Sequence, residues 1–341
     1  MATHEPLRTA TIKEVAALAG VGLSSVSRVL NDHPDVSQQM RDKVQHAVAT
    51  LGYEPDLLAA SLRRGQTNTV GFIVPDIVNS LFASILTGAE RRLRAAGYAV
   101  LIAHSEGDPR RDAESAQLFR RRRVDGLLVS ITDEEREESL EELQLVDYPV
   151  VLLDRHIEAL PGLSAVLADH RTGLRRATEH LIDLGHRDIR LITGQPTTRP
   201  SRERVAGIRE AYERRGLDLP PDAVIVGDLT SESGSRTIET LIRRDDLPGA
   251  IIAGGNLLFT GIIGALHRHG VRIGRDISLI TCDDIPLAEF HDPPISVVAR
   301  DTEEMGVLAA GLLLEQLDGG ASRIETVPTS VILRESTSVA R

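Results

Sequence analysis

The chain has 341 residues, enough for two or three domains, and 41% of them are hydrophobic, enough to build cores. Its 50 acidic and 39 basic residues leave a formal charge of −11 at pH 7. No apolar run approaches the roughly 20 residues of a membrane span, and the opening Met-Ala-Thr-His-Glu-Pro lacks the apolar stretch of a secretory signal.

The single cysteine, Cys282, excludes an intrachain disulfide framework and fits a reducing compartment. A cytoplasmic protein without a membrane role is expected. CxxC and HExxH patterns are absent and the histidines are scattered, so no metal or other cofactor is expected. Acidity argues against nucleic acid only if the charge is uniform, and it is not. Residues 1–65 carry seven Lys/Arg and seven Asp/Glu, so the whole excess of −11 lies beyond them.

In chain order, residues 11–31, TIKEVAALAGVGLSSVSRVLN, predict two short helices joined by a tight turn. Thr11 is placed to cap the first, with its hydroxyl accepting from first-turn N–H groups. Val15, Ala16 and Ala19 form one apolar face, and Gly20 supplies a left-handed turn where a Cβ is costly. Val21 packs under the turn, and Val26, Val29 and Leu30 face inward from the second helix. Leu23, Ser24, Ser25 and Arg28 are left facing outward near that helix's start. This is the surface a helix-turn-helix places in the DNA major groove. An ordinary α-hairpin with a polar outer face satisfies the same residues.

Ser37 is placed to cap a third helix whose apolar positions Met40, Val44, Ala47, Val48 and Leu51 follow the 3.6-residue period, with Gly52 as its stop. Tyr53-Glu54-Pro55-Asp56 and a short apolar piece ending at Gly65 follow. From Thr69 onward, short apolar strands alternate with amphipathic helices, the pattern of parallel sheets with crossover helices. The first strand set is 70–76, 98–105, 125–131 and 149–154; a second set is expected at 164–169, 189–194, 223–228, 249–255 and 277–284. The basic run Arg120–Arg123 reads as a solvated helix end matched to the helix dipole.

The strings TIKEVAALAGV, SSVSRVLN, LGYEP and ASLRRGQTNTVGFIVPD, in this order and spacing, resemble the lactose-repressor (LacI) family of bacterial transcription regulators, and the likeness runs over about residues 10–335. The resemblance implies an all-α helix-turn-helix headpiece at 1–55, a hinge helix and linker at 56–67, and an α/β two-lobed, periplasmic-binding-protein-like sensor at 68–341. It also implies that the strand at 295–300 and the helix at 302–317 return to the first lobe and the terminal strands to the second. The implied function is a repressor of palindromic operator DNA, acting as a homodimer and controlled by a small metabolite.

On that resemblance Leu23 and Ser24 discriminate operators, and Arg28 reaches a guanine edge or a phosphate. Ser25 shares that groove-facing surface, and Thr11, Ser27, Asn31 and Ser37 complete the DNA surface, chiefly as phosphate contacts and caps. In the hinge, Ala59 permits close helix approach, Leu62 wedges between base pairs and Arg63 enters the minor groove. Gly22 stands where a serine is usual, and Asp56 where an asparagine is.

The positions implied for the effector are Leu81, Phe82, Asp154, Arg155, Thr198, Arg199, Arg204, Asn256 and Asp283. The carboxylates suit vicinal hydroxyls; the arginine forks suit ring oxygens or an anion. Leu229 replaces a ring-stacking aromatic and tryptophan is absent, which disfavours flat purines. A sugar, sugar acid or sugar phosphate is therefore expected, the anionic forms slightly preferred. Two other classes fit the body alone: a carbohydrate-binding module of periplasmic type and a sugar-processing α/β enzyme. No nucleophile elbow or P-loop supports the second.

Overall fold

The computed structural model describes residues 10–30, 33–53 and 66–340. The chain divides after Thr67 into a small N-terminal unit and the body from Asn68 onward. Asn31, Ala59, Leu62 and Arg63 lie outside the described residues.

Among its described residues the N-terminal unit holds three helices, α1 (Ile12–Ala19), α2 (Leu23–Leu30) and α3 (Gln38–Leu51). Thr11 and Glu14 form a reciprocal cap on α1: Thr11 Oγ1 accepts from the Glu14 amide at 3.4 Å, and Glu14 Oε2 accepts from the Thr11 amide at 2.8 Å. Gly20 takes φ 67°, and the Val21 amide bonds back to the Ala16 carbonyl, closing α1. Val15, Ala16, Val26, Val29, Val44 and Ala47 make the buried centre, with Val21, Leu30, Met40, Val48 and Leu51 packed around it. Ser37 occupies the N-cap position of α3 with extended backbone, but its side chain makes no capping bond. The reading of Ser37 as a side-chain cap is corrected accordingly.

The body contains two six-stranded sheets with related order. The first runs β11-β5-β4-β3-β1-β2 and the second β12-β10-β9-β8-β6-β7. The strands of the first are β1 (Thr69–Val74), β2 (Ala99–His104), β3 (Gly126–Val129), β4 (Val150–Leu153), β5 (Ser164–Ala168) and β11 (Ile324–Val327). Those of the second are β6 (Ile189–Thr193), β7 (Val224–Val226), β8 (Ala250–Ala253), β9 (Ser278–Cys282), β10 (Ser296–Arg300) and β12 (Thr329–Ile332). All pairings are parallel except β10 with β12. The inner strands β3, β4, β5, β6, β8 and β9 are buried along their whole length, as sheets covered by helices on both faces require.

Three expectations of lobe membership are corrected. Residues 164–168 belong to the first sheet, where Leu152 pairs with Ala165. No helix separates β4 from β5; instead the connecting loop buries Ile157 against the first lobe's core, with Leu160 and Leu163 packed beside it. Residues 296–300 stay in the second sheet, where Val297 pairs with Thr281. Of the terminal strands, 324–327 lies in the first sheet and only 329–332 in the second.

The helices that follow β5 and β10 are exchanged between lobes. After β5 the chain crosses to α7 (His170–Asp183), which packs on α8 (Arg199–Arg214) of the second lobe. After β10 it crosses back to α12 (Thr302–Leu317), which packs on α4 (Ser80–Ala95) of the first, as the sequence implied for 302–317. Gly88 and Gly306 allow that contact: a Cβ on Gly306 would stand 1.9 Å from the Ile85 carbonyl oxygen, and one on Gly88 2.1 Å from that of Glu303. The remaining helices are α5 (Pro109–Arg122), α6 (Glu137–Gln144), α9 (Ser231–Arg243), α10 (Asn256–Arg268) and α11 (Pro286–Phe290).

Candidate functional site

Two surfaces concentrate function. On the headpiece, Leu23, Ser24 and Arg28 of α2 are exposed and Ser25 and Ser27 half-buried, while Val26 and Val29 turn inward. An apolar leucine left 45% exposed beside two serines is a surface awaiting a partner rather than a finished one. The amides of Ser25 and Val26 both bond to the Gly22 carbonyl, so Gly22 holds the N-cap position of α2. A Cβ there would meet only Ser24 Oγ, at 3.7 Å. Arg28 Nη2 donates to Asp35 Oδ2 at 3.4 Å and lies 3.3 Å from His33 Nδ1. Thr11 is exposed, its hydroxyl engaged with Glu14.

The second surface is a cavity of about 780 Å³ between the lobes of the body. Its walls are the loops after β1, β2, β3 and β4 on one side and after β6, β7, β8, β9 and β10 on the other. Strand C-termini and helix N-termini converge there, the usual ligand position in open α/β sheets. Leu81, Phe82, Asp154, Arg155, Thr198, Arg204, Asn256 and Asp283 all line it. Arg199 is not part of the lining: its Nη1 donates to the Ala168 carbonyl at 3.0 Å and lies 3.8 Å from Asp154 Oδ1.

The floor is a buried ionic cluster. Asp154 ends β4 and Asp283 ends β9, each with left-handed backbone, φ 54° and 71°. Such φ values in non-glycine residues cost on the order of 1 kcal/mol and cluster at functional sites. Both carboxylates grip Arg300 at the end of β10: Arg300 Nε donates to Asp283 Oδ1 at 2.8 Å and Nη1 to Asp154 Oδ2. Asp154 also accepts from the Ala168 amide at 3.1 Å and from His170 Nε2 at 2.8 Å.

Burial alone would raise the Asp154 carboxyl, but His170 and Arg300 beside it hold it well below the carboxylate range. Burial pushes the His170 imidazole down to about 4 despite the pull of Asp154. The pair is therefore a carboxylate beside a neutral imidazole, with Arg300 supplying the positive charge. Burial also lowers the Arg155 guanidinium, whose Nε donates to the Ile131 carbonyl at 2.6 Å and Nη1 to that of Asp154 at 2.9 Å.

Arg204 differs from its neighbours. It is 4% exposed, lines the cavity from the second turn of α8, and its Nε has no hydrogen-bond partner. A buried guanidinium N–H without an acceptor is costly, of the order of 1–3 kcal/mol, and the same side chain lies against the buried Cys282 thiol. Arg155, Arg199 and Arg300 each donate to the protein's own oxygens. The lining carries six carboxylates against three guanidinium groups.

Sequence reasoning passed over His170, Glu134 and Asn79. His170 follows the last residue of β5 by two, at the lobe crossing, a position visible only once the crossing is known. Glu134 sits in the acid-rich stretch DEEREE and gives no signal of its burial. Asn79 Oδ1 accepts from Asn256 Nδ2 at 2.8 Å across the cleft. Among the described residues no cluster of His, Cys, Asp and Glu could hold a metal ion, and no helix is long and apolar enough to cross a membrane.

A three-helix unit with a helix-turn-helix surface, joined to a two-lobed α/β body with a central cavity, defines a ligand-responsive DNA-binding regulator. Family models agree: "Bacterial regulatory proteins, lacI family" matches residues 11–56 and "Periplasmic binding protein-like domain" residues 178–337. The ribose operon repressor of Escherichia coli (strain K12) is 33% identical over 96% of this chain and 98% of its own. The HTH-type transcriptional repressor PurR of Aliivibrio salmonicida is 31% identical over 90% and 92%. The lac repressor dimer bound to operator and the anti-inducer ONPF superposes with TM-score 0.85 at 25% identity, covering 97% of this chain and 100% of that one. The transcriptional regulator CelR–cellobiose complex gives TM-score 0.73 at 29% identity over 96% and 99%. The chain belongs to the lacI family of bacterial regulatory proteins. It is a DNA-binding repressor controlled by a metabolite, not an enzyme.

Proposed function

We propose that the protein is a cytoplasmic homodimer whose headpieces bind the two halves of a palindromic operator and whose cleft takes a neutral sugar. Leu23, Ser24, Ser25 and Arg28 contact base edges; Thr11, Ser27, Asn31 and Ser37 contact phosphates; Ala59, Leu62 and Arg63 form the hinge contact. In the cleft, Arg204 donates to the ligand, Asp154 and Asp283 accept from adjacent hydroxyls with their remaining lone pairs, and Leu81, Phe82, Arg155, Thr198 and Asn256 complete the walls.

The observation carrying this reading is a cavity lining with six carboxylates against three guanidinium groups, one of which, Arg300, is already held by Asp154 and Asp283. That excess of carboxylates favours a neutral polyol over a phosphate or uronate, which reverses the preference drawn from the sequence. The relatives named for ribose and cellobiose support a sugar. For the dimer, the edge strand β2 leaves Leu101 41% and Ile102 44% exposed, with an apolar groove lined by Leu86, Tyr98 and Val100 beside it. An unpaired edge of this kind invites a second copy.

Calorimetry with D-ribose, cellobiose, glucuronate and glucose 6-phosphate tests the ligand class. Binding of neutral sugars is expected, and binding confined to the charged probes or to a nucleobase would refute it. Sedimentation equilibrium should give a dimer that Ile102→Asp converts to monomer.

A further inference from the structure

The helix that carries Arg204 is not capped by its own lobe. Thr198 occupies the N-cap position of α8 with extended backbone, yet its hydroxyl makes no capping bond and instead donates to Ser201 Oγ at 3.3 Å. The first amide of the helix, that of Arg199, donates to Glu134 Oε1 at 2.8 Å. Glu134 belongs to the other lobe, in the loop between β3 and α6.

Its second oxygen, Oε2, accepts from Arg202 Nη2 at 2.6 Å, and its own amide donates to the Thr197 carbonyl at 3.0 Å. The side chain is 2% exposed, so its charge is satisfied by these contacts rather than by water. Asp133 and Thr197, next to the bonded residues, line the cavity.

We infer that Glu134 is a positioning residue: reaching across the cleft, it caps α8 and so sets Arg204 in place only while the lobes are closed. A carboxylate at a helix N-terminus satisfies an orphan N–H and complements the helix dipole. Both effects vanish when the lobes part, because the cap and the helix move with different lobes. Lobe closure and order in the first turn of α8 are thereby one event. Arg204, five residues into α8, lies one and a half turns from the cap. This rests on the reading of Arg204 as an effector contact only for its functional consequence; the cap itself is tested without any ligand.

The full-length protein is compared with Glu134→Ala, Glu134→Gln and, as a control on an exposed neighbour, Glu135→Ala. Amide exchange is followed in peptides covering 197–203 and 206–212. Interlobe distances are measured between spin labels on exposed Arg121 and Glu213. In Glu134→Ala, exchange in 197–203 should rise about tenfold while 206–212 stays protected, and the distance distribution should broaden toward longer values. A tenfold change corresponds to about 1.4 kcal/mol, the size of a lost cap. Glu134→Gln keeps an acceptor for the Arg199 amide and should restore most of the protection.

A purely structural role would speed exchange in both peptides and lower the melting temperature of the Ala and Gln variants alike. Unchanged exchange in 197–203 and unchanged distances in a folded Glu134→Ala protein would overturn the inference. If these change but no sugar binds, the cap stands and the ligand reading falls.

Discussion

The headpiece and the body bury their side chains in opposite manners, and the difference shows where each keeps its function. Among its described residues the headpiece encloses a core of six buried side chains, all Val or Ala, in three short helices, and presents its functional groups outward on α2. The body builds four large apolar clusters around two sheets and keeps its functional groups inward, at strand ends lining a cavity. An outward surface needs only a rigid support. An inward one needs distant segments brought together, and strained backbone at Asp154 and Asp283 held by their surroundings.

That contrast can be broken most forcefully by cutting it. Removing residues 1–65 should reduce operator affinity at least about 10³-fold, because what remains carries the entire charge of −11 and repels phosphate. Sugar binding in the cleft should persist. Loss of sugar binding on truncation, measured calorimetrically, would mean the two regions do not work independently.

Next in size, Arg204→Gln should weaken sugar binding roughly 10- to 100-fold, the cost of one charge-assisted contact, while leaving operator binding without sugar within about twofold. Acid should separate the regions further. An unfolded histidine titrates near 6.5 and His170 near 4. Between those values only the unfolded chain takes up the proton, so body stability is present above about pH 6.5 and lost as pH falls toward 4, by on the order of 3 kcal/mol. Asp154, held ionised, extends the loss in the same direction below its ordinary value. Separate melting of the two units against pH should show this loss in the body. A His170→Asn protein should flatten that slope.

Smaller effects sharpen the headpiece side. Val44→Ala removes two buried methyl groups from a small core and should cost about 2 kcal/mol, enough to unfold much of the headpiece and leave the body's melting unchanged. Gly22→Ser should tighten operator binding by a few tenths to about 1 kcal/mol, since a hydroxyl at the N-cap of α2 supplies the acceptor that glycine lacks and has room to fit.

The same contrast explains what could be read from residues alone. In the headpiece nearly every determinant is local: Thr11 caps through Glu14 three residues on, Gly20 turns within α1's own end, and Val26 and Val29 follow helical period. Only Ser37 departed, because a cap residue's position is local but its rotamer is not. The body's strands were also legible as apolar runs, and most ended within a residue or two of the observed limits. Their lobes were legible too, except at 164–168, 296–300 and 324–327.

Fully buried parallel strands look alike in either sheet, and membership at 164–168 and 296–300 was decided by pairing with β4 and β9, which no local pattern encodes. The exchange of α7 and α12 between lobes hid this further. Among the effector positions, eight of nine reach the cavity, because strand C-termini point there in either lobe. Arg199 lies just outside it, with its Nη1 on the Ala168 carbonyl. Glu134 was hidden among exposed acids, and only the fold places it against a helix of the opposite lobe.

The central claim is that occupancy of the interlobe cavity changes the grip of the helix-turn-helix on duplex DNA. Its most direct test is fluorescence anisotropy of full-length protein on a palindromic duplex selected by that protein, with and without a saturating neutral sugar shown by calorimetry to bind the cleft. The account predicts that operator affinity changes at least about fivefold with sugar and that Arg204→Gln removes the change, a coupling of about 1 kcal/mol or more. An operator affinity indifferent to a sugar that demonstrably fills the cleft would contradict it.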